Sequence, residues 1–487
     1  MFDLSNAQKD AIGLTFVLNR LEPFSPYGAE AAKNPVGSRE ALLECFDNMD
    51  KAISLGDKAD ELRVVLMHFK DIRKTITKCQ RETLNEVELF EVKSFLLTLE
   101  RLVPVFDILD KEGQFRGIKL QLMTEALDIL DPNGQRLAPF SLDAPVLNAI
   151  RKEKVRLEKM LQQDSTLISE RAKLAASEEV EEARVMKHLT EKLRPKADVF
   201  FENMDNIGKL DLIFAKASLA VKLNGQRPNI SAGNISLKNM WNPYVADAVA
   251  QKGKTFTNIS ISLDKGVTLI TGANMGGKSV SIKTAVLNVV LAQMGYFVFA
   301  EEAEIPLFDD IVMMSEDMQD VESGLSTFGA EIICFNDIVR RLKNNFMFVA
   351  LDEFARGTNP AEGAAIVKGV AEYLAESESI ALMSTHFDVK VPQAAHYQVI
   401  GLSPEAVERI GNRRKYDGNN DESGIGLIAE LMDYSLRKVE AGSPPPQEAV
   451  NICSLLELDE GVMGKVIQPS GFGRCHRDCS QLEANYH

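Results

Sequence analysis

One short stretch, Thr271 to Ser279, constrains the fold more than any other part of the sequence. It reads Thr-Gly-Ala-Asn-Met-Gly-Gly-Lys-Ser and fills the spacing G-x-x-x-x-G-K-[ST] of a phosphate-binding P-loop. In such a loop, glycines let backbone N–H groups converge on phosphates, and the lysine and serine serve the outer phosphates and Mg²⁺. The apolar run from Val267 predicts a buried strand before the loop, and Val280 to Gln293 predicts a helix after it. The sequence therefore predicts a parallel α/β sheet that binds a nucleoside triphosphate.

The loop and its flanks define a set of candidate nucleotide-binding residues, with ATP and Mg²⁺ as the expected ligands. Within this set, Lys278 carries the charge that reaches the outer phosphates, and Ser279 is a candidate metal ligand. A glycine-rich turn that fits the spacing by chance is the alternative, and the flanking strand and helix disfavour it. The expected nucleotide-binding residues are Gly272, Asn274, Met275, Gly276, Gly277, Lys278, Ser279 and Val280.

Two further apolar runs end in side chains suited to nucleotide chemistry. Residues 346–351 are followed directly by Asp352 and Glu353, and residues 380–384 are followed closely by His386. The C-terminal ends of parallel strands meet at one sheet edge, where ligands bind. We therefore expect Asp352 to hold Mg²⁺ through water, Glu353 to act as the catalytic base, and His386 to sense the γ-phosphate. Two solvated acids and a structural histidine are the alternatives.

Residues 201–395 resemble the ATPase core of the MutS family, a branch of the ABC-type ATPases. Four motifs in the family's order carry this resemblance, which makes it far more specific than a lone P-loop. They are Thr271–Ser279, similar to the family P-loop, Ser323–Phe328 with Glu331, similar to its Ser-Thr-Phe signature, Asp352–Thr358, similar to its extended Walker B motif, and Ser384–Phe387, similar to its switch-histidine segment. Val280, Gln319 and Asn359 depart from the family pattern, and none of them removes a phosphate or metal ligand.

The resemblance implies that two copies of the chain act together. In such ATPases the signature of one subunit completes the nucleotide site of the other. Carried over, Ser326 and Thr327 would touch the γ-phosphate that is bound by a partner's P-loop. The expected assembly is an ATP-linked homodimer, and residues 447–468 look like the family's C-terminal dimerisation helices.

The pattern predicts an α + α/β architecture, an all-helical N-terminal core followed by a P-loop domain with a mostly parallel sheet. The resemblance implies that the helical part includes lever helices and that the P-loop domain is an ATPase of the ABC type. The expected domains are the helical core and levers in 1–225, the ATPase in 226–410, a helical dimerisation region in 411–468 and a disordered tail in 469–487. DNA-repair members of the family carry a mismatch-reading domain, a connector domain and a clamp, and residues 1–225 leave no room for them. No nuclease domain of the Smr type is expected after the ATPase.

Composition bounds the setting in which the chain works. Hydrophobic residues make up 45% and charged residues 26% of the 487, as is typical of a globular protein. Six cysteines, a first segment unlike a signal peptide and the lack of a long apolar run predict a cytoplasmic protein without membrane contact. Cys475, His476 and Cys479 match no standard zinc pattern, so metal binding there stays open.

The formal net charge of −16 disfavours a nucleic-acid partner without excluding one, because such binding depends on Lys and Arg contacts to phosphates. Candidate contacts to duplex DNA lie in one locally basic stretch, for which the solvated face of a helical pair is the favoured alternative. They are Arg151, Lys152, Lys154 and Arg156. Two functions stay open: an ATPase that binds DNA without mismatch specificity, and a chaperone-like reactivating ATPase. The second, with a protein client such as a cobalamin-dependent aminomutase, follows from a resemblance to small MutS-like ATPases.

Overall fold

The computed structural model describes residues 4–33, 38–111, 114–136, 140–160, 167–272, 277–315, 327–402, 431–443, 452–453 and 458–467. These residues form two compact units. The first, the helical unit, comprises Thr15–Arg227 with Leu291–Phe299, and the second, the sheet unit, comprises the described residues of Met1–Leu14, Pro228–Val290 and Ala300–His487. Helices combined with a mainly parallel sheet confirm the mixed α and α/β character predicted from the sequence.

Successive helices build the helical unit, while helix α1 (Asn6–Ala11) precedes them and belongs to the sheet unit. The helices are α2 (Leu14–Leu18), α3 (Pro26–Ala31), α4 (Arg39–Leu55), α5 (Asp60–Leu66), α6 (Arg73–Cys79), α7 (Glu86–Leu109), α8 (Thr124–Leu130), α9 (Pro145–Met160), α10 (Ile168–Leu193) and α11 (Ala197–Lys222). A short 3₁₀ turn, Arg194–Lys196, connects α10 to α11. It contains Pro195, which has no amide proton to continue a helical hydrogen-bond ladder.

Helix α11 supplies the centre of the helical core. Its Phe200 is fully buried and its ring lies 5.8 Å from that of Phe95 on α7. Asp211, also fully buried on α11, accepts hydrogen bonds from the backbone N–H groups of Phe24 and Ser25, at 2.8 and 2.7 Å, and from the Ser25 hydroxyl at 2.6 Å. The carboxylate thereby holds the segment that enters α3, because Ser25 is the N-cap of that helix.

The sheet unit contains two sheets. The larger has six strands in the order β10-β9-β4-β8-β7-β6, parallel except for β10, and the smaller has the order β1-β5-β2-β3. Every residue of β4, β7 and β8 is buried, as expected for parallel strands with both faces covered. The strands are β1 (Asn229–Ile230), β2 (Ile235–Met240), β3 (Ile259–Leu263), β4 (Gly266–Thr271), β5 (Glu302–Ile305), β6 (Asp310–Met314), β7 (Met347–Leu351), β8 (Ile380–Ser384), β9 (Ala395–Gly401) and β10 (Asp433–Val439).

Further helices accompany the strands in the described part of the chain. They are α12 (Pro243–Ala250), α13 (Lys278–Gln293), α14 (Thr327–Leu342), α15 (Pro360–Ala375) and α16 (Glu460–Ile467). One apolar cluster joins α14 and α15 to β4, β7 and β8, with Ile338 and Val367 packed among strand residues such as Val349 and Met383. Among the described residues, no helix has both the length and the apolar character needed to cross a membrane.

Strand β10 differs from the sequence-based expectation, which assigned residues 411–468 to a helical dimerisation region. Residues Asp433–Val439 instead pair antiparallel with β9, from Val439 opposite His396 to Asp433 opposite Gly401. Pairing supplies the backbone hydrogen bonds of β9, which would otherwise be the edge of the sheet. Helix α16 agrees with the helical pattern at the end of this region, and its role in dimerisation stays a prediction.

Candidate functional site

The predicted site residues follow three adjacent strands of the large sheet. Strand β4 pairs in parallel with β8, and β8 pairs in parallel with β7, with Leu351 opposite Met383. Consequently Gly272, Asp352 and Thr385, each the first residue after its strand, leave the sheet at the same edge. Ligands bind at this edge in open α/β sheets.

The loop between β4 and α13 begins and ends with backbone geometry that favours glycine. Gly272 has φ +148° and Gly277 has φ +80°, both in the region that side chains rarely adopt. A Cβ atom at Gly272 would lie 3.0 Å from Cβ of Val399, and one at Gly277 would lie 3.0 Å from Cδ1 of Tyr434. Strands β9 and β10 thus pack directly against the loop, whose predicted ligands Asn274, Met275 and Gly276 lie outside the described residues.

Lys278 is the first residue of α13, and its side chain turns back over the loop. Its Nζ donates a hydrogen bond to the Gly272 carbonyl at 2.8 Å and lies 3.6 Å from Oε1 of Glu353. The lysine is 2% exposed, and burial lowers its pKa while the nearby Glu353 carboxylate raises it. The ammonium group therefore lies between the P-loop backbone and the predicted catalytic base.

Asp352 is held by two hydroxyl groups. Ser279 Oγ donates to Asp352 Oδ1 at 3.1 Å, and Ser384 Oγ donates to the same oxygen at 2.7 Å. Ser384 Oγ also accepts the backbone N–H of Glu353 at 2.9 Å. One hydroxyl at the end of β8 therefore orients both acids at the end of β7.

Sequence reasoning placed Ser384 in a family motif but gave it no role, and it assigned none to Arg356. Arg356 Nη1 donates to Glu353 Oε2 at 2.8 Å, so the Glu353 carboxylate lies between two cations, Arg356 and Lys278. A signal for Ser384 was present, since a small hydroxyl residue ends an otherwise apolar strand beside the strand that carries the acids. No comparable signal was present for Arg356, because its side chain reaches Glu353 through the fold of the intervening turn.

The turn after β7 is strained. Glu353 has φ +54° and Ala355 has φ +60°. These left-handed values are unfavourable for any residue that has a Cβ atom. The Ala355 N–H donates to Oε2 of Glu331, a residue of α14, at 2.9 Å. Helix α14 therefore supports the turn that presents Glu353.

The remaining predicted residues are placed as follows. Thr327 is the first residue of α14, and its side chain and the whole of Ser326 lie outside the described part of the chain. Val280 is a half-buried residue of the first turn of α13, and its carbonyl accepts a hydrogen bond from Thr284 Oγ1 at 2.6 Å. His386 is half-buried in the turn after β8, at the same sheet edge as the acids.

The donor atoms at this edge suit a hard cation. Within the ranges that the structure describes, no group of three or more His, Cys, Asp or Glu side chains is arranged to hold a metal ion. The pair formed by Ser279 and Asp352 offers a hydroxyl and a carboxylate oxygen, and Mg²⁺ is commonly held by one or two such protein ligands when phosphates and water complete its shell. The residues present therefore fit Mg²⁺ in company with a bound polyphosphate.

The segment that contains this site matches a known family. Residues 268–411 match the family described as MutS domain V. The chain is also similar to proteins named Endonuclease MutS2. That of Latilactobacillus sakei subsp. sakei is 33% identical over 275 residues, covering 54% of this chain and 34% of that protein. That of Finegoldia magna is 32% identical over 274 residues, covering 53% and 34%.

A further relative, Endonuclease MutS2 of Leuconostoc mesenteroides subsp. mesenteroides, is 31% identical over 218 residues, covering 44% of this chain and 27% of that protein. The chain thus spans about a third or less of the length of these curated relatives. The similarity therefore concerns one part of those proteins.

Proposed function

Because this chain belongs to the MutS family, whose domain V it carries, we propose that it binds ATP with Mg²⁺ and hydrolyses it as a P-loop ATPase of the ABC type. The observation that carries the proposal is the convergence of Lys278, Ser279, Asp352 and Glu353 at one edge of a parallel sheet. A cation for the phosphates, two oxygen ligands and a base are the parts that phosphoryl transfer to water requires.

The phosphates would bind at the start of α13. Backbone N–H groups at a helix N-terminus attract anions, and the Lys278 ammonium, now on the Gly272 carbonyl, lies where it can move to the β- and γ-phosphates. Ser279 and Asp352 would hold Mg²⁺, which when bound neutralises charge on the phosphates. Ser384 keeps the Asp352 carboxylate oriented towards Ser279 through its own hydrogen bond.

Glu353 would accept the proton of the attacking water. Its backbone N–H is fixed by Ser384, and its carboxylate contacts Arg356 and Lys278. The Lys278 ammonium would leave this carboxylate on contacting the phosphates. The side chain of Arg356 is 45% exposed and can turn to water. His386, at the same edge, would sense the γ-phosphate.

A second copy of the chain would complete the site. This part of the proposal follows from the resemblance of residues 323–328 to the family signature, in which Ser326 and Thr327 act on the partner's nucleotide. Helix α14 begins at Thr327 and carries Glu331, which supports the turn of Glu353. Contact between the partner's γ-phosphate and the start of α14 would therefore reach the catalytic base of the same chain through one hydrogen bond.

For the partner on which the ATPase acts, we propose duplex DNA bound without mismatch specificity. The relatives are named endonucleases, which places nucleic acid among the partners of those proteins. A protein client, as in chaperone-like reactivation of a cobalamin-dependent aminomutase, is the second candidate. It is favoured by the net charge of −16 and by the ion pairs that already engage Arg151, Lys154 and Arg156.

Binding of radiolabelled or fluorescent ATP and release of phosphate test the ATPase directly. We expect the wild type to bind and hydrolyse Mg-ATP and Lys278→Ala to lose nucleotide binding, because no described neighbour supplies a cation at the same place. Lys265→Ala is the matched control, since Lys265 forms an exposed ion pair with Glu378 at the opposite end of β4. Normal ATP affinity in Lys278→Ala would contradict the P-loop assignment.

Mixing two inactive variants tests the composite site. A Lys278→Ala chain mixed with a Ser326→Ala chain leaves one complete site in each mixed dimer, so partial recovery of ATPase activity is expected. Absence of recovery at every ratio, with dimers present by light scattering, would exclude exchange of the signature between subunits.

A further inference from the structure

A buried histidine lies directly behind the P-loop, and sequence reasoning gave it no role. His396 on β9 is 2% exposed, and β9 pairs in parallel with β4 so that Leu269 lies opposite His396. Its Nε2 is hydrogen-bonded to Oγ1 of Thr271 at 2.8 Å. Thr271 is itself 2% exposed and is the last residue of β4 before the glycine that opens the loop. The imidazole therefore contacts the point at which the strand becomes the loop.

The same strand also touches the next residue of the loop. Val399 on β9 occupies the space that a Cβ atom of Gly272 would need, at 3.0 Å, and the carbonyl of Gly272 accepts the hydrogen bond from Lys278. Thr271 and Gly272 are adjacent, so the His396 contact lies one residue from the carbonyl that holds the lysine. Strand β9 thus contacts the start of the loop at two points, His396 and Val399.

The hydrogen bond between His396 and Thr271 depends on the donor and acceptor atoms of both side chains. A neutral imidazole offers one donor and one acceptor, and a threonine hydroxyl matches either. Burial lowers the pKa of His396, while the backbone of Glu440, just after β10, raises it. A buried polar group that loses its partner retains its desolvation cost, so the loss of either side chain penalises the native position of the other.

We propose that His396 is a positioning residue of the nucleotide site, which fixes the first turn of the P-loop, and hence the Lys278 ammonium, through its hydrogen bond to Thr271. This inference rests on the proposed ATPase function. His396 is hydrogen-bonded to Thr271, and it acts on the site through Thr271 and Gly272.

Two amide variants separate the hydrogen bond from simple packing. A glutamine side chain extends about as far as the Nε2 atom of histidine, whereas asparagine reaches only the position of Nδ1. We expect His396→Asn to weaken Mg-ATP binding about tenfold, with KM raised more than kcat is lowered, on the scale of one lost hydrogen bond in a buried site. His396→Gln should return affinity to within about threefold of the wild type. His68→Asn, at an exposed histidine of the helical unit, is the control and should bind as the wild type does.

The partner residue gives an independent test should the histidine variants fail to fold. Thr271→Val removes the hydroxyl and keeps the β-branched shape, so it should weaken Mg-ATP binding about tenfold. Thr271→Ser keeps the hydroxyl and should stay close to the wild type. Combining Thr271→Val with His396→Asn should cost less than the sum of the single changes, because both remove the same hydrogen bond.

The outcomes separate this inference from the proposed function. A wild-type chain that does not bind Mg-ATP contradicts the ATPase itself. If the wild type binds, equal affinities for the wild type, His396→Asn and Thr271→Val overturn the positioning role. Equal losses in His396→Gln and His396→Asn, or in Thr271→Val and Thr271→Ser, also overturn it, because they would show that packing and not the hydrogen bond matters.

Discussion

Two regions of this molecule concentrate charged side chains, and they place them in opposite environments. At the edge of the large sheet, Lys278 is 2% exposed and Asp352 and Glu353 are each 8% exposed. Along the pair formed by α9 and α10, the side chains of Arg151 and Glu182 are each 31% exposed, and the two form an ion pair at 2.7 Å. The first region buries its charges in a network, and the second leaves them in contact with water.

The difference decides what each charge does for the protein. Exposed ion pairs contribute on the order of 0 to 1 kcal/mol, because water screens the attraction and the side chains lose freedom. Buried charges cost several kcal/mol to desolvate and persist where hydrogen bonds and chemistry require them. We therefore interpret the sheet edge as the place where the fold accepts a cost for function, and the helix pair as a surface whose charges mainly neutralise one another.

The largest effect that this comparison predicts is on turnover, at Glu353. Glu353→Gln keeps the shape of the side chain and one acceptor oxygen for Arg356 but removes the charge that takes up a proton. We expect ATP binding to persist while kcat falls by ~10² or more, the usual scale for a positioned base. Single-turnover hydrolysis, measured beside equilibrium ATP binding, checks both halves of the expectation.

Glu362→Gln is the matched control for that variant, because Glu362 is an exposed acid in the first turn of α15 in the same unit. It should hydrolyse ATP at the wild-type rate. Undiminished turnover in Glu353→Gln would instead assign the base to another group, with His386 the next candidate at this edge.

A buried acid of the helical unit, Asp211, tests whether burial makes a polar side chain costly to remove outside the sheet unit as well. Asp211→Ala removes the acceptor of three hydrogen bonds from Phe24 and Ser25. At about 1–3 kcal/mol for each buried donor left without a partner, the free energy of unfolding should fall by ~3 kcal/mol or more. Asp205→Ala, at an exposed acid on the same helix, should change it by less than about 0.5 kcal/mol. Urea unfolding measures the free energy of unfolding of both variants, and equal losses in the two would contradict the role given to burial.

The sequence predicted the strands and the reactive side chains of the sheet edge better than the residues that hold those side chains in place. Strand β8 was predicted at Ile380–Ser384 and observed there, and β4 and β7 began within one residue of their predicted starts. Continuous apolar runs and a glycine motif are local signals, so they survive without tertiary information. Arg356 and His396 gained their roles only from the path of a turn and the pairing of strands, which no local pattern encodes. Ser384 did carry a local signal, as the hydroxyl residue that ends an apolar strand.

Strand β10 shows the other limit of sequence reasoning. Its residues lie in the segment 411–468 that the predicted domain boundaries assigned to helices, and pairing with β9 gives them extended structure. Tyr434 on β10 packs against Gly277, so this segment contributes to the P-loop surroundings as well. A strand that depends on its neighbour to this degree reflects context more than intrinsic propensity.

A buried titratable group of the sheet unit extends the comparison to pH. Burial lowers the pKa of His396 below its ordinary value of 6.5, so between those two values the unfolded chain binds a proton that the native chain does not. The free energy of unfolding must therefore fall as pH decreases from about 6.5 towards the native pKa, by at most about 1.4 kcal/mol for each pH unit. His396→Gln lacks this contribution and should lose less stability than the wild type between pH 7 and pH 5. Parallel stability curves for the two proteins over this range would contradict the assignment.

The smallest effect concerns DNA, and it follows from the exposed charges of the helix pair. Arg151 donates to Glu178 and Glu182, Lys154 also contacts Glu178, and Arg156 lies 3.5 Å from Glu153. Cations held by carboxylates neutralise few DNA phosphates, so duplex binding should be weak and insensitive to sequence, and its salt dependence should have the shallow slope of those few contacts. Mismatch reading additionally requires an apolar wedge that unstacks a base step, which the charged side chains of this basic stretch do not supply. Matched and mismatched duplexes should therefore compete within a factor of about two.

Removing a carboxylate from the pair sharpens this expectation. Glu178→Gln frees Arg151 and Lys154 from a shared partner, so the affinity for DNA and its salt dependence should both rise. The slope of log K against log[salt] should steepen by about one unit for each additional phosphate that these cations neutralise. Glu181→Gln is the control, because Glu181 pairs with the exposed Arg184 on the same helix and not with the basic stretch of α9. A tenfold preference for mismatched DNA would show that the helical unit reads bases. Equal affinities for the wild type and Glu178→Gln at low salt would remove α9 from any DNA interface and leave the protein client as the stronger candidate.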